Sequence, residues 1–317
     1  MSCVTDIVSG GDVATPEPEP DVSLIMTAWE PRRDWLADAV DSALGQRDVR
    51  IELILVDDGC PRPVEDLLEQ TDPRLRHLRI AHSGVCAARN RGIQEARGRY
   101  LRFIDADDVI HPDSTARLLE LTGGADDVIP YGTTIRCDEH LRPVRELTSD
   151  LEGDVVKACL LSKFTVRHMS MLFPRAVIER SGVFDPEFPA SGDWDFVLRA
   201  LEHATVRRSS IPATYYRTHG GQITANIPRC EAGMELVIKR FVERHPQYRG
   251  SSLERMALAE ARLKSARSYR GRGDHGDALR RVADAAKLAP VPTMRRVARW
   301  GYRSAVGRAR RIATAGR

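Results

Sequence analysis

Asp105-Ala106-Asp107 is the segment of this sequence best suited to holding a metal ion. In an extended backbone alternate side chains project to the same side, so the two carboxylates converge. Magnesium and manganese prefer oxygen ligands, and magnesium usually takes one or two carboxylates together with substrate phosphates. A cation held there can neutralise the charge that develops on a departing diphosphate. The competing reading is a solvated acidic turn, because Asp is a common turn residue. The apolar run Tyr100-Leu-Arg-Phe-Ile104 directly before it favours the end of a strand.

Asp57-Asp58-Gly59 closes another apolar run and also admits two readings. A carboxylate there can accept the ring N–H of uracil or thymine, and Asp-Gly is equally a turn dipeptide. Arg89, followed by Asn90, offers a planar fork of donors to phosphates or acidic clusters, or is a surface arginine. Asp193, in Ser191-Gly-Asp-Trp-Asp195, can take the proton of an attacking hydroxyl, with Trp194 as a stacking face for a sugar. It also suits a helix N-cap ahead of Phe196-Val-Leu198. His219, in Tyr215-Tyr-Arg-Thr-His219, can meet a diphosphate oxygen or a metal, or fill an ordinary surface or core position.

These residues need elements to position them. Val22–Met26, Ile51–Val56, Leu75–Ile80 and Tyr100–Ile104 read as short buried strands. Between them, Asp34–Leu44 and Val85–Ala96 carry apolar residues at helical spacing, and Pro63–Gln70 reads as a short helix. Alternating strands and helices predict a parallel sheet with crossover helices. Ligands on such sheets bind beyond the carboxyl ends of the strands. Asp57-Asp58 and Asp105 to Asp108 are therefore expected to face one crevice. Residues 150–227 are mixed in pattern. Residues 228–290 read as helical, with Ala257–Ser268 and Ala278–Leu288 forming a hairpin like one tetratricopeptide unit, which cannot bury its own face and must pack on the rest.

Bulk properties narrow the function classes. The chain has 317 residues, enough for one α/β domain and an appendage. The net charge is +3, but 291–317 holds eight arginines and no acidic residue, leaving about −5 on the rest. That tail, 291–317, reads as a basic amphipathic helix: a peripheral contact with an anionic membrane, a helix packed on the body, or a solvated tail. Its two aromatics, Trp300 and Tyr302, are too few for a base-stacking platform, so no nucleic-acid partner is expected. Cys3, Cys60, Cys86, Cys137, Cys159 and Cys230 have no C-x-x-C spacing, which argues against a zinc knuckle and for a reducing, cytoplasmic setting. Residues 1–20 read as a disordered leader, and neither a signal peptide nor a transmembrane run is expected.

Taken in order, the motifs resemble the family 2 glycosyltransferases of the GT-A fold. They are Val22-Ser-Leu-Ile-Met-Thr-Ala28, Ile54-Leu-Val-Asp-Asp-Gly59, Ala88-Arg-Asn-Arg-Gly92, Ala96 to Asp108, Gly192-Asp-Trp-Asp195 and Tyr216-Arg-Thr-His219. The resemblance covers about residues 21–227, with 228–290 as a helical extension. It implies a Rossmann-like, mostly parallel central sheet flanked by helices. It implies inverting, metal-dependent (Mg2+ or Mn2+) transfer of a sugar from a nucleotide-sugar, UDP or dTDP favoured, to an acceptor such as a glycan, a lipid-linked group or a small molecule. Thr27, Asp57, Asp58 and Arg89 would lie on the nucleoside side, and Asp105 would face the ribose. Asp107 would ligate the metal, Asp193 would be the general base, and His219 would lie near the diphosphate or metal. Met26-Thr-Ala-Trp-Glu30, Cys60 and Gly192 depart from the usual pattern. The Gln-x-x-Arg-Trp motif of processive synthases is absent, so transfer of a single sugar is expected. The rival readings are a nucleotidyltransferase, which would usually place a Gly-rich basic segment at the first strand, and an inactive nucleotide-sugar-binding module.

Overall fold

A computed structural model describes residues 19–188, 190–222 and 225–298. The chain opens β1 (Val22–Ala28), α1 (Arg33–Leu44), β2 (Ile51–Asp57), β3 (Leu75–Arg79), α2 (Val85–Glu95), β4 (Tyr100–Asp105). It continues β5 (Val109–Ile110), α3 (Ser114–Thr122), β6 (Val128–Cys137), β7 (Pro143–Leu147), α4 (Val156–Leu160), β8 (Phe173–Pro174), α5 (Arg175–Ser181) and α6 (Gly192–Leu201). The thirteen-residue β9 (Thr205–Arg217) follows, then α7 (Ile227–Arg244), α8 (Ser252–Gly271) and α9 (His275–Leu288). The segment expected as a helix over Pro63–Gln70 is only a 3-10 turn, Val64–Leu67.

The first sheet has the order β3-β2-β1-β4-β8. Its first four strands are parallel, and β8 closes the edge antiparallel to β4. Every residue of β1 and β2 is buried, because helices cover both faces, and this is why those strands read as unbroken apolar runs. Ile25, Ile54 and Phe103 face the core shared with α2, α6 and α7. Leu24, Met26 and Leu53 face the core shared with α1. At Gly92 an added Cβ would sit 2.3 Å from Ile25 Cγ2, so α2 lies on β1 at a distance only glycine allows.

The expected single, mostly parallel GT-A sheet is corrected by the second sheet. β5, β9, β6 and β7 form a separate four-stranded sheet, in that order. β5 follows the Asp105–Asp108 turn but pairs with β9, antiparallel, and does not extend the first sheet. β6 runs parallel to β9 and antiparallel to β7. β6 meets the segment before β8 only through an isolated antiparallel bridge, Tyr131 to Met171, with the Leu172 N–H donating to the Pro130 carbonyl at 3.0 Å, and the two sheets stay separate. The chain is α/β with two sheets.

Arg102 ties the sheets together. It projects from β4, fully buried, and donates to the Met169 and Ala213 carbonyls at 3.2 and 2.8 Å and to Ser114 Oγ and Thr115 Oγ1 at 2.8 Å each. Ala213 belongs to β9, so one guanidinium links β4, β9 and the start of α3. No carboxylate lies within ion-pair distance of it among the described residues. Four hydrogen bonds alone compensate a buried charge.

Helices α7, α8 and α9 are held to one another by charge. Buried Glu231 on α7 accepts from Arg262 of α8 and from Arg281 of α9, the latter at 2.9 Å. Residues 290–298 are helical and pack back on this group: Thr293 is fully buried and donates to the Ala285 carbonyl at 3.1 Å, and Arg296 pairs with Glu260 at 3.2 Å. The leader over 1–18 and the tail over 299–317 lie outside the described residues. No helix among the described residues is long and apolar enough to cross a membrane.

Replacing Arg102 by Met removes four buried hydrogen bonds across the seam at once. Urea denaturation is expected to show a loss of about 3 kcal/mol. A change of less than about 0.5 kcal/mol, the range of ordinary surface substitutions, would contradict the clamp.

Candidate active site

β1 and β4 end side by side, with Thr27 in register with Asp105. Beyond β4 the chain turns sharply, the Asp108 N–H donating to the Asp105 carbonyl at 3.1 Å. The turn brings Asp105, Asp107 and Asp108 together, each offering a carboxylate oxygen within 4.8 Å of the others. Pairing of β5 with β9 then carries the end of β9 back over the turn.

Each carboxylate meets a different counter-group. Arg89, 6% exposed on α2, donates to Asp105 at 2.7 Å and lies 5.2 Å from the Phe184 ring centre. Burial alone would raise the Asp105 pKa, but the Arg89 charge reverses this and holds it below the usual carboxylate range. Asp107 meets His219 Nε2 at 2.9 Å, with the imidazole against the Trp35 ring at 4.7 Å. Burial and the neighbouring Asp105 nevertheless push the Asp107 pKa up. Asp108 is fully buried and accepts from the Arg217 backbone N–H at 2.7 Å through Oδ1, while Oδ2 has no partner among the described residues. Burial, Asp107 and Asp105 drive its pKa well above the ordinary value.

Arg217 braces the turn from β9. Its side chain donates to the Asp107 carbonyl at 2.8 Å, the Glu139 carbonyl at 2.8 Å and Asp38 at 3.0 Å. Asp193 reaches the same cluster from the first turn of α6. The helix N-cap is Ser191, in the left-handed region at φ 65°, so Asp193 is not the cap but lies two residues inside the helix. Gly192 lets this helix start approach α2, because a Cβ there would lie 2.9 Å from Cys86 Sγ. Burial opposes ionisation of Asp193, yet the protonated form of His168 and the charges of Arg167, Arg89 and Lys264 outweigh it and lower its pKa. Its Oδ2 lies 3.7 Å from Nδ1 of His168, a buried imidazole with neither ring nitrogen hydrogen-bonded among the described residues. Burial and the Arg89 charge push the His168 pKa down to about 4, so the ring is neutral near pH 7.

Asp57 and Asp58 stand at the same edge of the sheet, across β1, but their oxygens are engaged locally. Asp57 accepts from the Cys60 and Val64 N–H groups at 2.7 and 3.2 Å and from Arg79 at 2.5 Å. Burial would raise its pKa, and these donors lower it. Asp58 accepts from the Ser83 and Gly84 N–H groups at 2.8 and 2.9 Å. Gly59, at φ 76°, makes the turn between them, and a Cβ there would strike the His82 backbone nitrogen at 2.6 Å. Trp29 stacks on His82 at 3.8 Å above this loop. Asn90 exchanges two hydrogen bonds with the Phe184 backbone, at 2.7 and 2.9 Å, and so fixes the segment leading to α6.

The structure thus gathers Arg89, Asp105, Asp107, Asp193 and His219, sets Thr27 beside them, and ties Asp57 and Asp58 to the neighbouring loops. Asp108, Arg217 and His168 also belong to the cluster. Asp108 and Arg217 lie inside motifs marked in the sequence, Asp105-Ala-Asp-Asp108 and Tyr216-Arg-Thr-His219, without a role of their own assigned there. His168 carries no local signal.

Residues 23–179 match the family described as Glycosyl transferase family 2. The chain is 32% identical over 234 residues to the putative glycosyltransferase EpsH of Bacillus subtilis, covering 68% of this chain and 67% of that protein. It is 29% identical over 216 residues to the succinoglycan biosynthesis protein ExoO of Rhizobium meliloti, covering 63% of this chain. It spans 61% of the length of ExoO and 53% of that of the uncharacterized glycosyltransferase EpsJ of Bacillus subtilis. In fold it is similar to S. aureus TarS 1-349, at a TM-score of 0.58 and 15% identity, over 86% of this chain and 82% of that one. Structures of that protein with UDP and with UDP-GlcNAc align comparably, at TM-scores of 0.59 and 0.58. The matched segment contains the Asp105–Asp108 turn, Arg89 and Asp57-Asp58, and on these comparisons the chain belongs to glycosyl transferase family 2.

Proposed function

We propose that this family 2 glycosyltransferase moves one sugar from a nucleoside-diphosphate sugar to an acceptor hydroxyl, with inversion and with a divalent cation. The observation that carries the reading is the meeting of three crowded carboxylates with a separate, ionised Asp193 across a buried cluster. UDP or dTDP is the favoured nucleotide. The likeness in fold to a protein whose structures include UDP and UDP-GlcNAc supports that choice.

The residues present fit a magnesium or manganese ion. The donor set is all oxygen, Asp108 Oδ2 is buried without a partner, and the raised pKa values of Asp107 and Asp108 mark negative charge awaiting a counter-charge. Asp107 and Asp108 would hold the ion, with His219 oriented by Asp107 beside it. When bound, such an ion neutralises charge on the diphosphate. Thr27, Asp57 and Asp58 shape the nucleoside side, the two acids by fixing the loops at Cys60 and at Ser83-Gly84. Asp193 accepts the proton of the acceptor hydroxyl as that oxygen bonds to the anomeric carbon; the bond from that carbon to the diphosphate breaks, and the nucleoside diphosphate leaves with the electron pair. Arg89 keeps Asp105 ionised, and the low pKa of Asp193 keeps it a base near neutral pH.

Two measurements check this. The folded-state pKa of Asp108 exceeds its unfolded value, so its charged form costs stability once the pH rises through the folded value. In chelator at about pH 8, above the ordinary carboxylate range, Asp108→Asn is therefore expected to melt at or above the wild-type temperature. It is also expected to lose most of the rise that manganese gives the wild type. A lower midpoint in chelator contradicts the crowding, and an undiminished manganese shift contradicts the ligand role. Asp193→Asn is expected to bind UDP with manganese as the wild type does, by calorimetry, and to lose transfer by about a hundredfold or more. Unimpaired transfer would place the base elsewhere.

A further inference from the structure

The nearest basic neighbour of Asp193 is a buried imidazole. His168 opens the 3-10 turn His168–Ser170, is 4% exposed, and places Nδ1 3.7 Å from Asp193 Oδ2. Among the described residues no arginine or lysine comes within ion-pair distance of the Asp193 carboxylate, and no other carboxylate comes within that distance of the His168 ring. The ring lies among aromatic side chains, its centre 6.2 Å from that of Phe103 and 6.4 Å from that of Phe184. Neither ring nitrogen is hydrogen-bonded among the described residues. Buried polar groups in folded proteins are nearly all hydrogen-bonded, so a histidine serving only to fill the core would be partnered there. Phenylalanine would fill such surroundings without burying an unpaired polar group. The turn that carries the ring is fixed from both sheets. The Met169 carbonyl accepts from Arg102 Nε of β4 at 3.2 Å and from Thr214 Oγ1 of β9 at 3.0 Å. Ser170 Oγ and Thr134 Oγ1 of β6 share a hydrogen bond of 2.7 Å. Asp193, by contrast, stands in the first turn of α6 with its side chain 34% exposed. A fixed, buried imidazole thus faces a carboxylate that is itself partly open to solvent.

We propose that His168 is a positioning residue for Asp193: its Nδ1–H donates to Asp193 Oδ2 and leaves Oδ1 turned toward the acceptor hydroxyl. The proposal rests on Asp193 as the base and names what orients it. A neutral imidazole carries one N–H and one lone pair, and a carboxylate only accepts, so the nitrogen facing Asp193 is the one that bears the proton. Moving the two groups together by about 0.8 Å brings them to hydrogen-bond distance. Such contacts are often long in an unliganded enzyme and tighten when substrates bind. A carboxylate held at one oxygen presents the other in a single direction, and a fixed geometry of base and nucleophile contributes directly to rate. His168 keeps its own proton throughout, and the proton taken from the acceptor stays on Asp193 Oδ1.

The test uses the full chain in two ways. With UDP and magnesium bound, NMR spectra of histidine labelled at the ring nitrogens are expected to show His168 neutral and protonated on Nδ1 near neutral pH, its signal identified by its loss in His168→Asn. A proton on Nε2 instead overturns the proposal. Turnover is then followed as metal-dependent release of nucleoside diphosphate from UDP- and dTDP-sugars, with water as the acceptor. His168→Phe removes the donor and is expected to lower kcat about tenfold or more, while KM and the affinity for UDP stay as in the wild type. His168→Leu is read in the same way if the larger ring does not fit. His168→Asn, whose side-chain amide puts an N–H where Nδ1 stands, is expected to recover most of the rate. Unchanged kcat in His168→Phe overturns the proposal, as does a loss confined to KM, which would make the ring a substrate contact. Equal losses in His168→Phe and His168→Asn overturn it too, because the donated hydrogen bond would then not be what matters. Loss of turnover in Asp193→Asn beside full activity in His168→Phe removes this proposal alone. Undiminished turnover in Asp193→Asn, or none by the wild type, removes the reading of Asp193 as the base and this proposal with it.

Discussion

Three carboxylates in one tight turn set the terms for the rest of the molecule. Asp105, Asp107 and Asp108 lie close enough to repel, and Asp108 is fully buried. Such a turn persists only if fixed positive groups and hydrogen-bond donors converge on it. They come from different parts of the fold: Arg89 from a helix on the first sheet, His219 and the Arg217 backbone from the end of β9 in the second. The pairing of the two-residue β5 with β9 registers one set against the other. The division into two sheets is thus what lets the turn be answered from both sides.

The seam between the sheets needs its own reinforcement. Arg102 supplies it, using hydrogen bonds to two carbonyls and two hydroxyls in place of an ion pair. Two residues separate Arg102 from Asp105 on β4, so the clamp and the acidic turn share one short strand. The carboxylates with depressed pKa values, Asp105 and Asp193, are those with cations nearby, and those with raised values, Asp107 and Asp108, face mainly each other. One cluster therefore holds both an ionised base and a region short of positive charge.

Much of this was legible in the sequence, for physical reasons. β1, β2 and β4 are buried on both faces and read as apolar runs, and the acidic motifs at their ends mark the ligand edge of a parallel sheet. The second sheet was not legible. β9 is half-exposed along much of its length and contains Pro212, and β5 is two residues long, so neither leaves a periodic signature. The GT-A expectation of one sheet failed there. Side-chain engagement was equally hidden: nothing in Asp57-Asp58-Gly59 reveals that the oxygens are held by backbone N–H groups of Cys60, Val64, Ser83 and Gly84. His168 reaches the cluster only through tertiary packing.

The central claim is that the acidic turn serves a metal-bound diphosphate of a sugar donor. It is tested most directly by incubating the chain with UDP-, dTDP- and GDP-sugars and measuring release of the free nucleoside diphosphate, with manganese and with chelator. The account predicts release from a UDP- or dTDP-sugar that requires the metal and disappears in Asp107→Ala. Release that is indifferent to chelation, or that survives loss of Asp107, would contradict it.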